Sequence, residues 1–111
     1  MSAKNKSVSS VIADINDQIR SMIPFVPKPH MLVLTEGVLA LPEGELASLC
    51  SQVRKFSNFT SDNNPYGEND FGSVLINEEK FFWKFDYFDD GFQFYKENGH
   101  RVLTIMRADE Y

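Results

Sequence analysis

The residues most able to do chemistry lie in one stretch, T-S-D-N-N-P-Y-G-E-N-D-F-G at 60–72. It gathers Asp62, Glu68 and Asp70 with Asn63, Asn64 and Asn69 around Pro65, Gly67 and Gly72, and adds the aromatics Tyr66 and Phe71. Hard oxygen donors in that density suit Ca²⁺ or Mg²⁺. The spacing is not that of an EF-hand loop: counted from Asp62, the twelfth position is Ser73 rather than Glu. Asp-Asn-Asn-Pro followed by Tyr-Gly also suits a turn whose side chains bond their own backbone. Whether the stretch holds a metal stays open on the sequence.

A second carboxylate group lies downstream. Lys84 and Asp86 share one face of a predicted strand, and Asp89 and Asp90 fall in the turn after it. Lys84 and Asp86 fit an exposed same-face pair of little energetic weight. If the 60–72 loop folds over that face, they join Glu68 and Asp70 in a carboxylate–lysine cluster able to do acid–base work. Other chemistries lack their residues. His30 and His100 sit in a Pro-rich segment and a turn, with no Ser or Cys nearby in sequence, and no C-x-x-C, H-E-x-x-H or glycine-rich phosphate loop occurs. Cys50 falls on the apolar face of a predicted helix and reads as a small core hydrophobe. As the one cysteine, it excludes an internal disulfide.

Charge narrows the choice further. Residues 1–56 carry 6 bases and 5 acids, whereas residues 57–111 carry 5 bases and 11 acids. An acidic half disfavours direct binding of nucleic acid and favours a basic protein surface, including one that ordinarily holds nucleic acid.

The elements that must position these groups follow from the patterning. Residues 1–6 are polar and predicted to fray; Val8, Val11, Ile12, Ile15, Ile19, Met22 and Ile23 mark one helical face, giving a helix over 7–23 that Pro24 ends. It packs on the domain or docks on a partner. Met31–Thr35 reads as a strand. Pro42 opens a second helix with Glu43 and Glu45 in its first turn and Leu46, Leu49, Cys50, Val53 and Phe56 on its buried face. Strands over 72–76 and 80–88 form a hairpin, with Phe81, Trp83, Phe85 and Tyr87 facing the core. Further strands are predicted at Phe92–Lys96 and Arg101–Arg107, with Tyr111 anchoring a tail that folds back. The expectation is a single α+β domain over 1–111: an antiparallel β-meander of about four to five strands packed against two helices. No apolar run spans a bilayer and no signal peptide is seen, which implies a cytoplasmic protein with no membrane partner.

Three blocks carry a family resemblance: N-P-Y-G-E-N-D-F-G at 64–72, W-K-F-D-Y at 83–87 and L-T-I-M-R-A-D-E-Y at 103–111, with V-L-T-E-G-V at 33–38. From about Ile12 to Tyr111 the chain resembles a family of uncharacterised small bacterial proteins, domain of unknown function 3768. The resemblance implies a setting on plasmids and other mobile elements of Gram-negative bacteria, and no activity or cofactor. It also implies His at the position where this chain has Asn69, so a mechanism using that base does not transfer.

The expected function is a non-enzymatic interaction protein without cofactor, inhibiting defence or nucleic-acid-handling machinery in the manner of anti-CRISPR or anti-restriction proteins. Its expected contact residues are Asp62, Tyr66, Glu68, Asp70, Asp86, Asp89 and Asp90. The alternatives are a metal-assisted hydrolase using Asp62, Glu68, Asp70 and Asp86 with Lys84 as electrostatic stabiliser, and a regulatory partner docking through its first helix.

Overall fold

The computed structural model describes residues 7–111, so the fraying expected of residues 1–6 lies outside the described residues. In chain order the elements are α1 (Val8–Ser21), β1 (Met31–Leu34), the single turn α2 (Glu36–Leu39), α3 (Glu43–Lys55), β2 (Phe71–Ile76), β3 (Glu79–Phe88) and β4 (His100–Arg107). A 3₁₀ turn, Ala108–Glu110, follows. The four strands form one sheet in the order β1-β4-β3-β2.

The hairpin of β2 and β3 forms as its alternation predicts. Asn77 and Glu78 both take positive φ (51° and 68°), the two-residue turn whose twist matches the flanking strands, and Ile76 pairs with Glu79 beside it. Phe81, Trp83, Phe85 and Tyr87 are buried on one sheet face. Trp83 is fully enclosed, with the rings of Phe56, Phe59 and Phe85 edge-on to it. α3 contributes Leu49, Cys50 and Val53 to the same core, and burial pushes the Cys50 thiol pKa up, as befits a packing residue.

The fold is α+β, but the sheet is mixed rather than wholly antiparallel: β1 runs parallel to β4, pairing Met31 with Val102 through Leu34 with Ile105. The reason lies in the connection. β1 leads into α2 and α3 instead of a tight turn, and a helical crossover delivers the next strand in the same direction. A second correction concerns Phe92–Lys96, which is not a strand. The Asp89 carboxylate accepts from the backbone N–H groups of Gln93 (3.1 Å) and Phe94 (3.5 Å), and Phe92 takes φ 56°. Those bonds curl the 89–99 segment into a loop whose ladder pairing with β3 is the isolated bridge Phe88–Tyr95, so β4 pairs with β3 directly. α2 was hidden in the run V-L-A-L before Pro42, which itself caps α3 rather than opening it.

α1 packs on the domain, with its N-terminus capped by the Ser7 hydroxyl, which accepts from Ser10 N–H (3.1 Å). Its buried face is rotated from the apolar stripe. Ile12, Ile19 and Ile23 are inside, Val8 and Met22 are exposed, and Asn16 and Arg20 take the inward positions. Arg20 Nη1 donates to the carbonyls of Val53 and Phe56 (both 2.8 Å) at the C-terminal end of α3, and its guanidinium lies 4.7 Å over the Trp83 ring. A cation there complements the negative, carbonyl-bearing end of the helix.

The tail folds back, but Tyr111 is not its anchor. Tyr111 is exposed, meeting Phe71 and Phe82 only by ring edges. The Glu110 carboxylate does the holding: it accepts from Thr35 Oγ1 (2.6 Å), Arg107 N–H (2.8 Å) and Gly37 N–H (2.9 Å). These bonds, Thr35's first, hold its pKa below the usual carboxylate range.

Candidate functional site

β3 is longer than its neighbour. Pairing with β2 ends at Lys84 opposite Phe71, and Phe85–Phe88 continue past it. The 60–70 loop lies along that free edge, with Phe85 N–H donating to Asp70 C=O (2.9 Å). Between loop and strand end is a groove of about 470 Å³, with Glu68, Asp70 and Asp86 among its lining and Tyr66 and Tyr95 at its sides. A second hollow continues over Lys84 and Tyr111, sharing Tyr66, Asp70 and Asp86 with the first.

The amides of the loop are structural. Asn64 and Asn69 bond reciprocally: Asn69 N–H donates to Asn64 Oδ1 (2.8 Å), and Asn64 Nδ2 donates to Asn69 Oδ1 (2.7 Å). Asn69, at φ 55°, also donates through Nδ2 to both Asp17 carboxylate oxygens (3.2 and 3.1 Å), fastening the loop to α1. Asn63 accepts from Thr60 N–H (2.8 Å) and donates to Asn58 C=O (3.0 Å). This is the side-chain-closed turn that the residue types allowed.

Behind the groove lies a polar network that the sequence did not disclose. Asn16, fully buried on α1, donates through Nδ2 to Tyr87 Oη (2.9 Å) and Glu68 C=O (3.0 Å), and its Oδ1 accepts from Arg101 Nε (3.0 Å). Arg101 is almost wholly buried, its guanidinium 5.1 Å from the Tyr87 ring centre. Burial pushes the Tyr87 phenol far above its ordinary value, so it stays neutral.

The expected contact residues divide accordingly. Tyr66, Glu68, Asp70 and Asp86 come together at the groove. Asp62 is exposed on the preceding turn and is not part of the lining. Asp89 closes its own loop, and Asp90 reaches His100 Nε2 (2.9 Å). Lys84 pairs with Asp86 (3.0 Å), as two residues sharing an outer strand face can. Among the described residues, no three His, Cys, Asp or Glu side chains stand close enough to share a metal ion, and no Lys or Arg lies within ion-pair distance of Glu68 or Asp70.

Asp70 records the consequence. Burial raises its pKa, and the charges of Glu68 and Asp86 add to the rise, while its own backbone N–H opposes it. A carboxyl group whose folded pKa is raised binds protons more readily in the folded state than in the unfolded one. Its ionisation therefore subtracts from stability as the pH rises through the folded value. Asp70→Asn should accordingly raise the melting temperature at neutral pH, by on the order of 2 °C for a domain of this size. Thermal melts at neutral and acid pH check it, because the gain should disappear where Asp70 is already protonated.

Among the described residues no helix is long and apolar enough to cross a membrane. No curated protein and no solved structure matches the chain. The model of a family described as protein of unknown function, DUF3768, matches residues 34–110, a span running from the end of β1 through the groove to the Glu110 anchor, and the chain belongs to that family.

Proposed function

We propose that the protein is a non-enzymatic interaction protein that receives a basic partner surface in the groove between the 60–70 loop and the end of β3. The observation that carries this reading is the pair Glu68 and Asp70. Both are half-buried with no Lys or Arg within ion-pair distance among the described residues, only Arg101, buried behind the groove, acting on Glu68 at longer range, and exposed Tyr66 and Tyr95 flank them. Burial and the neighbouring charges make the Asp70 carboxylate costly in the free protein, and a partner's Lys or Arg would relieve that cost. The flanking rings offer faces on which a guanidinium can lie. Asp86, already paired with Lys84, contributes less.

The class of partner that fits is a protein surface built to hold phosphates, because a groove of carboxylates presents similar charge to it. Defence or nucleic-acid-handling machinery, inhibited in the anti-CRISPR or anti-restriction manner, belongs to this class, and the mobile-element setting implied by the family resemblance favours it. Docking through the first helix has less support, since Ile12, Ile19 and Ile23 are already committed to the core.

Affinity capture from a bacterial lysate tests the reading with charge-neutral variants. Glu68→Gln with Asp70→Asn should abolish recovery of a basic partner while leaving the protein at least as stable as the wild type. Asp62→Asn, outside the groove, should leave recovery unchanged. Equal recovery by the groove double variant would refute the proposal.

A further inference from the structure

The start of β4 is held by two histidines that sit beside a small cavity of about 310 Å³. His30, just before β1, accepts the backbone N–H of Arg101 at Nδ1 (3.0 Å), so its neutral ring carries the proton on Nε2. His100 bonds Asp90 through Nε2 (2.9 Å) and stacks on Phe92 with ring centres 5.5 Å apart. The two imidazoles meet edge-on at 6.3 Å.

Arg101 ties this corner to the 89–99 loop. Its Nη1 donates to Gly99 C=O (2.8 Å), its Nη2 to Asn98 Oδ1 (2.7 Å) and its Nε to Asn16 in the network behind the groove. The charged or titratable groups around His30 are His100 and Arg101 from β4 and Asp90 and Lys96 from the loop; α1 brings the uncharged Ile15.

We propose that His30 is a proton-operated latch on the 89–99 loop, closed when the ring is neutral and released when it is protonated. On protonation Nδ1 gains a hydrogen and turns from acceptor to donor, facing the Arg101 N–H, itself a donor. The new imidazolium then stands beside Arg101 and His100, and the one carboxylate in the cavity lining, Asp90, is already engaged by His100. Burial, and after it the charges of Arg101 and His100, lower the His30 pKa, so the latch is closed at neutral pH. A histidine with a depressed folded pKa contributes stability that is present above the unfolded value, near 6.5, and is lost as the pH falls through the folded value. The loop that it holds through Arg101 carries Tyr95, a wall of the groove, so release would alter access to the groove. That last consequence rests on the interaction reading, whereas the latch does not.

Amide hydrogen exchange across 89–102, corrected for intrinsic rates, tests the latch without any partner. Between about pH 7.5 and pH 5.5 the wild type should lose protection there several-fold, up to the roughly tenfold that one proton allows over that range, while α3 stays unchanged. His30→Asn, which keeps a side-chain acceptor but cannot titrate, should show no such loss. A wild type with pH-independent protection, or a His30→Asn variant with the same loss, would overturn the proposal. Should that variant fold poorly, the imidazole proton titration of the wild type decides: the His30 midpoint should lie below that of a free histidine and move together with the Arg101 amide shift. A midpoint at or above the free value overturns the latch. A working latch alongside a groove that binds no basic peptide would count against the interaction reading only.

Discussion

Asn16→Leu should destabilise the domain by about 3–5 kcal/mol, the largest loss expected of any single substitution here that keeps the number and branching of side-chain heavy atoms. No apolar burial is lost, so the effect comes from the polar bonds together with the cost of fitting two methyl groups where a carboxamide sat. The carboxamide is fully enclosed and serves three groups at once: Tyr87 Oη, Glu68 C=O and Arg101 Nε. Leucine leaves all three without that partner. Arg101 is the expensive one, because it is a buried cation that then retains only its bonds to Gly99 and Asn98. The same change removes one of the ties between the 60–70 loop and α1, leaving Asn69–Asp17 as its tether there. Urea unfolding followed by far-ultraviolet dichroism measures the loss. A change below about 1 kcal/mol would show that the network is incidental.

Gly72→Ala should cost about 2–3 kcal/mol although it adds one methyl group. Gly72 pairs across the hairpin with Trp83, and a Cβ there would lie 2.6 Å from Trp83 Nε1 and 2.7 Å from two ring carbons. The indole has little room to retreat, since Phe56, Phe59 and Phe85 pack edge-on around it and Arg20 lies over its face. The strain must then pass to the strand pairing or to the α1–α3 contact. Gly44→Ala is the control: a Cβ on Gly44 meets nothing within 4 Å, and α3 should tolerate or welcome it. Because Trp83 is the chain's one tryptophan, its fluorescence reports directly on the altered packing. Equal stability of Gly72→Ala and wild type would mean that the indole moves freely, contrary to this packing.

These two positions also show what the sequence could and could not reveal. The hairpin and its aromatic face were legible because alternation has a short period and the Asn77-Glu78 turn is local. α3 was legible through its apolar spacing and the charges at its ends. Asn16 was not, because a polar residue on a helix reads as solvent-facing, and its partners lie 52, 71 and 85 residues away. The direction of β1 was hidden for a related reason: a strand followed by helices carries no turn to set its sense. Phe92–Lys96 has strand-like residues, and a single carboxylate, Asp89, turned it into a loop. At the groove, composition announced many acids without telling which converge. Glu68, Asp70 and Asp86 do so because β3 outruns β2; Asp62, Asp89 and Asp90 are placed elsewhere by their own turns.

The most direct test of the acidic groove is a nuclear magnetic resonance titration of the ¹⁵N-labelled protein with a short oligo-arginine peptide. Saturable amide shifts are expected, confined to the 66–70 loop, the end of β3 and Tyr95, abolished by Glu68→Gln with Asp70→Asn and insensitive to Asp62→Asn. Shifts scattered over every acidic segment, including Asp62 and the Asp109–Glu110 tail, or no shifts at all, would contradict it.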